Sequence, residues 1–310
     1  RVQVITKTGS IQLSPLDHPK VGEVADYADA MDVADIDYDR IDADEVMRRF
    51  PQFTLRKPVD ALYQADTGIA DAIKGNAAHV AVARLHGATI LDRCPVRSIE
   101  PNGEGVVVDT EQGTFTGRNL VVTAGAWTQS LLSALGIELH LTVTQEQVTY
   151  YATPRIAEFA VGRFPIFISH ADESIYGFPV YGEVATKVGI DASGPAVTPK
   201  TRTYEPDLER ERRQEVWLEE NIPRFLGPKM YTKTCLYTMP KDRSFIIDRL
   251  PDHPQVILCV GAGHAYKFAG LFGKILSELA IDGKTDHPID PFVLDRPAIT
   301  DPDYPAQFRM

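Results

Sequence analysis

A glycine-rich turn between a predicted strand and a predicted helix is the first place where the sequence suggests chemistry. The apolar run from Val256 to Val260 leads into Gly261-Ala262-Gly263-His264, and a helical pattern follows over Ala269 to Ala280. Exposed backbone N–H groups and the positive end of the helix dipole would face whatever lies beyond this turn, which favours an anion or an electron-rich carbonyl. Lys267 adds a cation at the same place. Gly-Ala-Gly alone is a weak signal for a ligand site.

A second apolar strand breaks into small residues at its end. The run Leu-Val-Val-Thr-Ala-Gly-Ala-Trp occupies positions 120 to 127. A buried parallel strand needs small residues where its carboxyl end meets a ligand, because they let the backbone approach. We therefore expect a ligand at the end of this strand.

An acidic stretch near the amino terminus suggests calcium, but its spacing does not support a calcium loop. Asp35, Asp37 and Asp39 alternate, yet Arg40 stands where an EF-hand needs glycine and Val46 where it needs glutamate. A solvated helix-and-turn surface is the favoured interpretation, and we expect no metal site.

Composition excludes several classes of protein. At roughly 150 residues per domain, 310 residues predict about two domains. With 44% hydrophobic and 24% charged residues, the chain is neither disordered nor collagen-like. A net charge of −11 argues against nucleic-acid and anionic-membrane partners, although a local basic pocket could still bind a small acidic substrate. There is no membrane-length apolar run or secretory leader, and three cysteines are too few for a disulfide framework; we expect a cytoplasmic protein.

Local patterns predict the elements that must position these residues. The first are a hairpin over residues 1–14, a helix after Gly68 with apolar residues at helical spacing from Ile73 to Leu85, and a β-meander (Thr89 to Ile99, Val106 to Thr110, Thr114 to Thr116). An antiparallel sheet within 139–190 and a helix over Glu205 to Asn221 follow. The last are a helix with Leu271, Ile275 and Leu279 on one stripe and Gly283 at its end, and an extended surface tail from Pro288. Cys94 and Cys259 are interpreted as packing residues on apolar strands.

Six short motifs, taken together, resemble the monomeric sarcosine oxidase and N-methyltryptophan oxidase family, within the D-amino-acid-oxidase-like flavoproteins. The resemblance runs over nearly the whole chain, and Lys-x-Cys-x-Tyr-Thr followed by Phe-Ile-Ile-Asp is its most specific part. The motifs are Thr123-Ala-Gly-Ala-Trp127, Tyr176-Gly-Phe-Pro179, Lys187-Val-Gly189, Lys233-Thr-Cys235-Leu-Tyr237-Thr238, Phe245-Ile-Ile-Asp248 and Gly263-His264-Ala-Tyr-Lys267-Phe268.

The resemblance implies a mixed α/β fold. It has a discontinuous, Rossmann-like FAD-binding domain at 66–138 and 242–290 and an α+β substrate domain with an antiparallel sheet at 1–65 and 139–241, followed by a C-terminal tail at 291–310.

The resemblance also assigns roles to individual residues. Cys235 would carry FAD through a thioether to the flavin 8α-methyl, and a thiolate near a cation such as Lys233 is a competent nucleophile. Lys187 would help oxygen accept electrons, and Lys267 would bind the substrate carboxylate. The remaining assignments are Tyr176 and Tyr237 in the substrate pocket, the Val96 backbone at the adenine, and Ala124, Gly125, Gly261 and Gly263 beside the cofactor. His264 matches the catalytic-site histidine of the family's Gly-His-Gly-Phe-Lys run, with a hydrogen-bonded core histidine as the alternative.

Three departures from the family pattern stand out. The turn before His264 is compressed and Ala265 replaces a second glycine, while Asp191 stands where several sarcosine oxidases have a pocket histidine. The initial Gly-x-Gly-x-x-Gly unit and the second carboxylate-binding arginine that accompanies it are not found. We therefore expect that Arg1 marks a cut through the cofactor domain.

The expected activity is FAD-dependent oxidation of a secondary amine, an N-methyl or cyclic amino acid, in amino acid metabolism. A hydride would pass to flavin N5, O₂ would become H₂O₂, and the protein would be a monomer. Two alternatives stay open: a flavin amine dehydrogenase that uses an electron carrier, and a truncated, non-catalytic binding or scaffold protein. The substrate and the role of Asp191 are left open.

Overall fold

The computed structural model describes residues 2–17, 23–103 and 105–308, so Arg1 and the last two residues of the predicted tail lie outside it. In chain order, the strands of the described residues are β1 (Ile5–Lys7), β2 (Ser10–Pro15), β3 (Asp39–Ile41), β4 (Val59–Gln64), β5 (Gly68–Ala70), β6 (Val96–Asn102), β7 (Gly105–Thr110), β8 (Gly113–Gly117), β9 (Leu120–Val122), β10 (Leu141–Tyr151), β11 (Ile166–His170), β12 (Ser174–Phe178), β13 (Thr186–Ile190), β14 (Lys229–Pro240), β15 (Ile246–Leu250) and β16 (His253–Val260). The α-helices are α1 (Glu23–Val33), α2 (Ala43–Arg49), α3 (Ala72–Leu85), α4 (Thr128–Leu132), α5 (Leu208–Asn221), α6 (Ala269–Asp282) and α7 (Pro297–Thr300). Short 3₁₀ helices cover Gly125–Trp127, Ser133–Leu135, Ala265–Phe268 and Asp290–Phe292.

The chain divides into two compact units, each built from separate stretches of sequence. The first unit contains Arg1–Gly75, Glu146–Ser193 and Thr203–Cys235. The second contains Asn76–Gln145, Gly194–Arg202 and Leu236–Met310. The mixed α/β fold with an antiparallel sheet is confirmed, whereas the assignment of FAD and substrate binding to particular domains stays a prediction.

An eight-stranded sheet organises the first unit, in the order β14-β10-β13-β12-β11-β2-β4-β3. Strands β10, β13, β12 and β11 pair antiparallel in that order, which confirms the sheet predicted within 139–190. Strand β2 joins β11 in parallel and β4 antiparallel.

The hairpin predicted for residues 1–14 is wrong. The backbone N–H groups of Thr8 and Gly9 both donate to the carbonyl of Thr67, so the chain does not turn back on itself at this point. Strand β1 pairs instead with β5, and β2 enters the large sheet.

One face of the large sheet packs on an aromatic core. Successive side chains of a strand point to opposite faces, and Phe167, Val188 and Ile190 all point to this side. Helix α2 contributes Val46 and helix α5 contributes Leu218 to the same cluster. Helix α5 confirms the predicted helix; it begins after Asp207, whose carboxylate accepts two backbone N–H bonds of the first turn.

The second unit contains a three-stranded sheet, β15-β16-β9, and a meander, β6-β7-β8. The meander is confirmed, but its first strand begins at Val96 and not at Thr89, so Cys94 precedes the strand. Helix α6 ends at Gly283 as predicted, in a left-handed cap. On the predicted apolar stripe, Ile275 and Leu279 are buried and Leu271 is 43% exposed. The buried residues of α6 are Phe272, Ile275, Leu276 and Leu279.

Helix α3 forms where the sequence predicts it, although the first and last apolar residues of its pattern are exposed. Ile73 and Leu85 are each 85% exposed, and Gly75 is its buried residue. A helical period shows which residues share a face, whereas burial depends on what packs against that face. Across the described residues, no helix is both long and apolar enough to cross a membrane.

The segment after Pro288 is not an extended surface tail. Leu294, Ala298 and Ile299 are buried, and the Leu294 N–H donates to Asp248 Oδ2 at 2.8 Å. Arg296 Nε donates to Asp242 Oδ2 at 2.7 Å in a pair whose side chains are only 11% and 14% exposed. Burial alone raises the pKa of Asp242, but hydrogen bonds from Arg296 and the Ser244 backbone outweigh it, so the pKa is lowered.

We expect Asp242→Asn to lower the free energy of unfolding by about 1 to 3 kcal/mol, because it leaves the Arg296 cation poorly paired. A carboxyl whose folded pKa is lowered stabilises the fold above its unfolded pKa of about 4 and loses that contribution as the pH falls. Urea unfolding at pH 7 and pH 4 should therefore show a smaller difference between the two proteins at pH 4. Glu219→Gln, in the exposed pair with Arg212, is the control and should change little.

Candidate active site

The sheet face opposite the aromatic core carries the predicted Lys187. Lys187 on β13 stands opposite Tyr150 on β10 and Phe178 on β12. Two residues further along β13, Gly189 stands opposite Val148 and Tyr176. Because side chains alternate along each strand, these two rows project from one face.

Strand β14 adds a thiol and a second lysine to this face. On the core side, the hydroxyls of Thr149 and Thr232 lie 3.1 Å apart, which places β14 beside β10. The neighbours of Thr232 therefore point the other way: the Tyr231 ring lies 4.7 Å from the Tyr150 ring, and Lys233 Nζ lies 4.8 Å from the Tyr231 ring centre. Cys235 follows Lys233 on the same side of the strand.

We call this surface the Lys187 face, a term that covers Tyr150, Tyr176, Phe178, Lys187, Gly189, Tyr231, Lys233 and Cys235.

Lys187 is a largely buried cation held over aromatic rings. Its Nζ lies 4.7 Å from the Phe178 ring centre and 5.9 Å from that of Tyr150, distances at which the ring quadrupole attracts a cation. Burial has the largest effect on the pKa of Lys187 and lowers it. Electrostatic attraction to Cys235 partly offsets this decrease, and repulsion from Lys233 lowers the pKa further. The structure thus places Lys233 and Cys235 within electrostatic reach of Lys187.

The three cysteines occupy different environments. Cys235 is exposed, Cys94 is half-buried and Cys259 is buried. Burial raises the pKa of the Cys259 thiol to about 11, which confirms its interpretation as a packing residue. Cys94 lies before β6 and not on a strand. Cys235 is therefore the accessible thiol among them.

In the second unit, the two small-residue strand ends predicted as ligand sites lie side by side. Strands β9 and β16 pair in parallel, with Val122 opposite Leu258, so their carboxyl ends share one sheet edge. Ala124 and Gly125 follow β9, and Gly261 follows β16. Gly125 has a φ of +52°, and a Cβ built on it would meet no described atom within 4 Å. The edge therefore offers open backbone to a ligand.

The glycine turn after β16 is shaped by aromatic packing. Gly263 has a φ of +80° and lies against the Tyr237 ring. His264 packs on Phe245 with ring centres 4.8 Å apart, and its Nε2 lies 3.3 Å from the Arg243 carbonyl.

Lys267 and Val96 are the remaining predicted residues of this unit. Lys267 lies in a 3₁₀ helix that separates the turn from α6; it is exposed, with Nζ 5.3 Å from the Phe268 ring centre. Val96 is exposed at the start of β6, opposite Thr110.

Sequence reasoning missed Tyr150, Phe178, Gly189 and Tyr231 as parts of the site. Phe178 and Gly189 belong to the quoted motifs, so alternation from Tyr176 and Lys187 would have placed them on the same face. Tyr150 and Tyr231 could not be placed, because alternation within a strand does not give the register between strands.

The chain matches a known protein family over most of its length. The model of the family described as "DAO: FAD dependent oxidoreductase" matches residues 3–279. The chain belongs to this family.

Individual members of the FAD dependent oxidoreductase family resemble the chain over most of its length. Monomeric sarcosine oxidase from Bacillus sp. (strain B-0618) is 30% identical over 304 residues, covering 96% of this chain and 77% of the relative. N-methyl-L-tryptophan oxidase from Escherichia coli (strain K12 / DH10B) is 27% identical over 297 residues, 94% of this chain and 77% of the relative. The open form of NikD, an amino acid oxidase essential for nikkomycin biosynthesis, superposes with a TM-score of 0.81 at 26% identity, covering 94% of this chain and 77% of NikD.

The described residues of this FAD-dependent family member fit an FAD group in part. In the first unit, Cys235 offers an accessible thiol within electrostatic reach of Lys187. In the second unit, Gly125 offers open backbone at the shared end of two parallel strands, where nucleotides bind in α/β sheets, whereas the Ala265 side chain lies against Gly261. Residues 1–310 contain no Gly-x-Gly-x-x-Gly, so the thiol and the strand ends do not account for the pyrophosphate.

The electrostatic contacts of Lys187 predict how its pKa responds to substitution. Lys233→Met should raise the pKa of Lys187 because it removes a like charge, and Cys235→Ser should lower it because it removes an attractive one. Acetylation of Lys187 at a series of pH values, followed by peptide mass spectrometry, measures the midpoint. Lys57→Met, which removes an exposed lysine paired with Asp17, is the charge control. Unchanged midpoints in both test variants would contradict the contacts.

Proposed function

We propose that this protein oxidises a secondary amine, an N-methyl or cyclic amino acid, with FAD as the electron acceptor and O₂ as the final oxidant. The names of the relatives support the substrate class, since sarcosine and N-methyltryptophan are both N-methyl amino acids. The observation that carries the proposal is the Lys187 face, where a largely buried cation lies within electrostatic reach of an accessible thiol.

The first unit would attach the cofactor and assist oxygen. When bound, FAD supplies the hydride acceptor and passes electrons to O₂. Cys235 would hold it covalently, by a thioether to the flavin 8α-methyl. Lys187 would stabilise the negative charge that develops on oxygen, and its burial strengthens that interaction because little water screens it.

The second unit would supply substrate contacts. Lys267 would bind the substrate carboxylate by a charge-assisted hydrogen bond, and Tyr237 and His264 would line the pocket. Tyr176 would contribute from the Lys187 face. The amine would bind in its neutral form, lose a hydride from the N-substituent or the α-carbon together with its N–H proton, and leave as an imine that water hydrolyses. O₂ would take up the two electrons and two protons removed from the amine and become H₂O₂.

Cys235→Ala should abolish covalent flavin. The purified chain, reconstituted with FAD and precipitated with acid, is expected to keep a yellow chromophore, whereas the variant should release it. Cys259→Ala is the matched control and should keep the linkage, since its thiol is buried. Free flavin released from the unmodified chain would contradict the thioether, and a colourless reconstituted protein would contradict FAD binding and favour a non-catalytic binding role.

Lys187→Met should slow oxygen use more than it slows substrate-dependent bleaching under anaerobic conditions. Loss of one preorganised charge at a site of developing charge costs about 10²- to 10³-fold in rate. Lys267→Ala is the contrasting variant and should mainly raise KM, because it removes a substrate contact. Oxygen-electrode and stopped-flow measurements separate the two effects. Bleaching by the amine without peroxide formation in air would instead indicate a dehydrogenase that uses an electron carrier.

A further inference from the structure

We propose that Gly189 is a positioning residue for Tyr176, and that the absence of a side chain at position 189 sets the space available to the substrate. The proposal rests on the proposed function for the pocket role of Tyr176. The contact between the two residues stands on the geometry of the first unit alone.

Tyr176 and Gly189 face each other across the β12–β13 pair, and the tyrosine ring occupies the place of a residue-189 side chain. A Cβ built on Gly189 would lie 2.8 Å from Tyr176 Oη, 2.9 Å from its Cζ and 3.0 Å from the Gln147 carbonyl oxygen. Real Cβ atoms essentially never approach other heavy atoms closer than 3.0 Å. The Tyr176 ring can therefore lie across β13 only because position 189 is glycine.

A glycine in the interior of a strand needs such a reason. It has no side chain to pack and loses more conformational freedom on folding than other residues, so it weakens the strand. Close approach of another group to the backbone is one of the few gains that offset this cost. At Gly189, the approaching group is the end of a tyrosine that faces away from the aromatic core.

A displacement of Tyr176 would also affect the surroundings of Lys187, because the Phe178 ring contacts both residues. The Tyr176 and Phe178 rings meet edge to face at 87°, with centres 5.9 Å apart, and Lys187 Nζ lies over the Phe178 ring. A methyl group at position 189 would push Tyr176 outward from the sheet and against Phe178. The space above the Lys187 face would narrow, so a bulkier amine would be excluded before a small one.

The second unit shows the same arrangement independently. A Cβ built on Gly263 would lie 2.4 Å from Cδ2 and 2.5 Å from Cγ of Tyr237, the other tyrosine assigned to the substrate pocket. Both pocket tyrosines thus lie against a glycine. Because Gly263 also has a φ of +80°, its substitution would mix backbone strain with the contact, so Gly189 is the cleaner test.

The contact is tested by a double-mutant cycle in thermal unfolding, with no activity needed. We expect Gly189→Ala to lower Tm by about 3 to 8 °C through overpacking. In the Tyr176→Ala background, less than half of this loss should remain, since only the Gln147 contact persists. Gly177→Ala is the matched control: its Cβ would meet the Phe167 ring at 2.3 Å on the core face, so Tyr176→Ala should not relieve its loss.

Each outcome of the double-mutant cycle either supports or overturns the proposed contact between Gly189 and Tyr176. Equal losses from Gly189→Ala in both backgrounds would overturn it. If Gly189→Ala does not fold, folding of the double variant supports the contact, and failure of both variants overturns it.

Selectivity tests the functional half of the proposal. The ratio of kcat/KM for L-pipecolate to that for sarcosine should fall about tenfold in Gly189→Ala, the size expected for a small steric change in a pocket. Gly177→Ala should leave the ratio unchanged. If the unfolding cycle shows that Gly189 and Tyr176 are coupled but Gly189→Ala leaves the kcat/KM ratio unchanged, the role of Gly189 in substrate specificity is overturned. If the unmodified enzyme oxidises neither amine, the proposed function and with it the specificity role fail, while the unfolding cycle still decides the contact.

Discussion

The pairing register of β12, β13 and β10 is the constraint on which the candidate active site depends. It sets Phe178, Lys187 and Tyr150 in one row. A slip of one residue on β13 would turn Lys187 into the aromatic core and expose Val188, which is completely buried. Such a slip would bury an unpaired charge and lose a branched apolar side chain from the core. Packing of the aromatic core on one face of the sheet thus determines which side chains stand together on the opposite face.

The same sheet explains how a lysine can be largely buried and still keep useful contacts. The aromatic rings of Phe178 and Tyr150 face its ammonium group, and Cys235 lies within electrostatic reach. Lys233 opposes these attractions, and burial opposes them more strongly, so the net effect is a lowered pKa. A cation in this balance responds to any negative charge that develops nearby, and the role proposed for Lys187 with oxygen depends on such a response.

The sequence was sufficient where short-range patterns decide the outcome. Helix α5, the glycine end of α6 at Gly283 and the meander all follow from local signals. The hairpin over residues 1–14 failed because Thr67, distant in sequence, receives the hydrogen bonds of its turn. The buried segment around Leu294 was missed for a related reason: its anchor is the Asp248 carboxylate, far away along the chain.

Prediction of the site had a similar limit. Motifs identified Lys187, Cys235 and Tyr176 as candidates, and alternation places their neighbours on a face. The contacts that give them chemistry run between strands, such as Tyr150 with Lys187 or Thr232 with Thr149, and only the register supplies them.

The register pairs two short motifs with each other, Tyr-Gly-Phe at 176–178 and Lys-Val-Gly at 187–189. Gly177 and Gly189 lie on adjacent strands but open toward opposite faces of the sheet. At Gly177, the missing side chain admits Phe167 of the core, and at Gly189 it admits Tyr176. One glycine therefore serves the packing that fixes the register, while the other serves the face that the register creates. A substitution at the first should act on stability, and a substitution at the second should act on the position of a tyrosine, although both residues are glycines within five-residue β-strands.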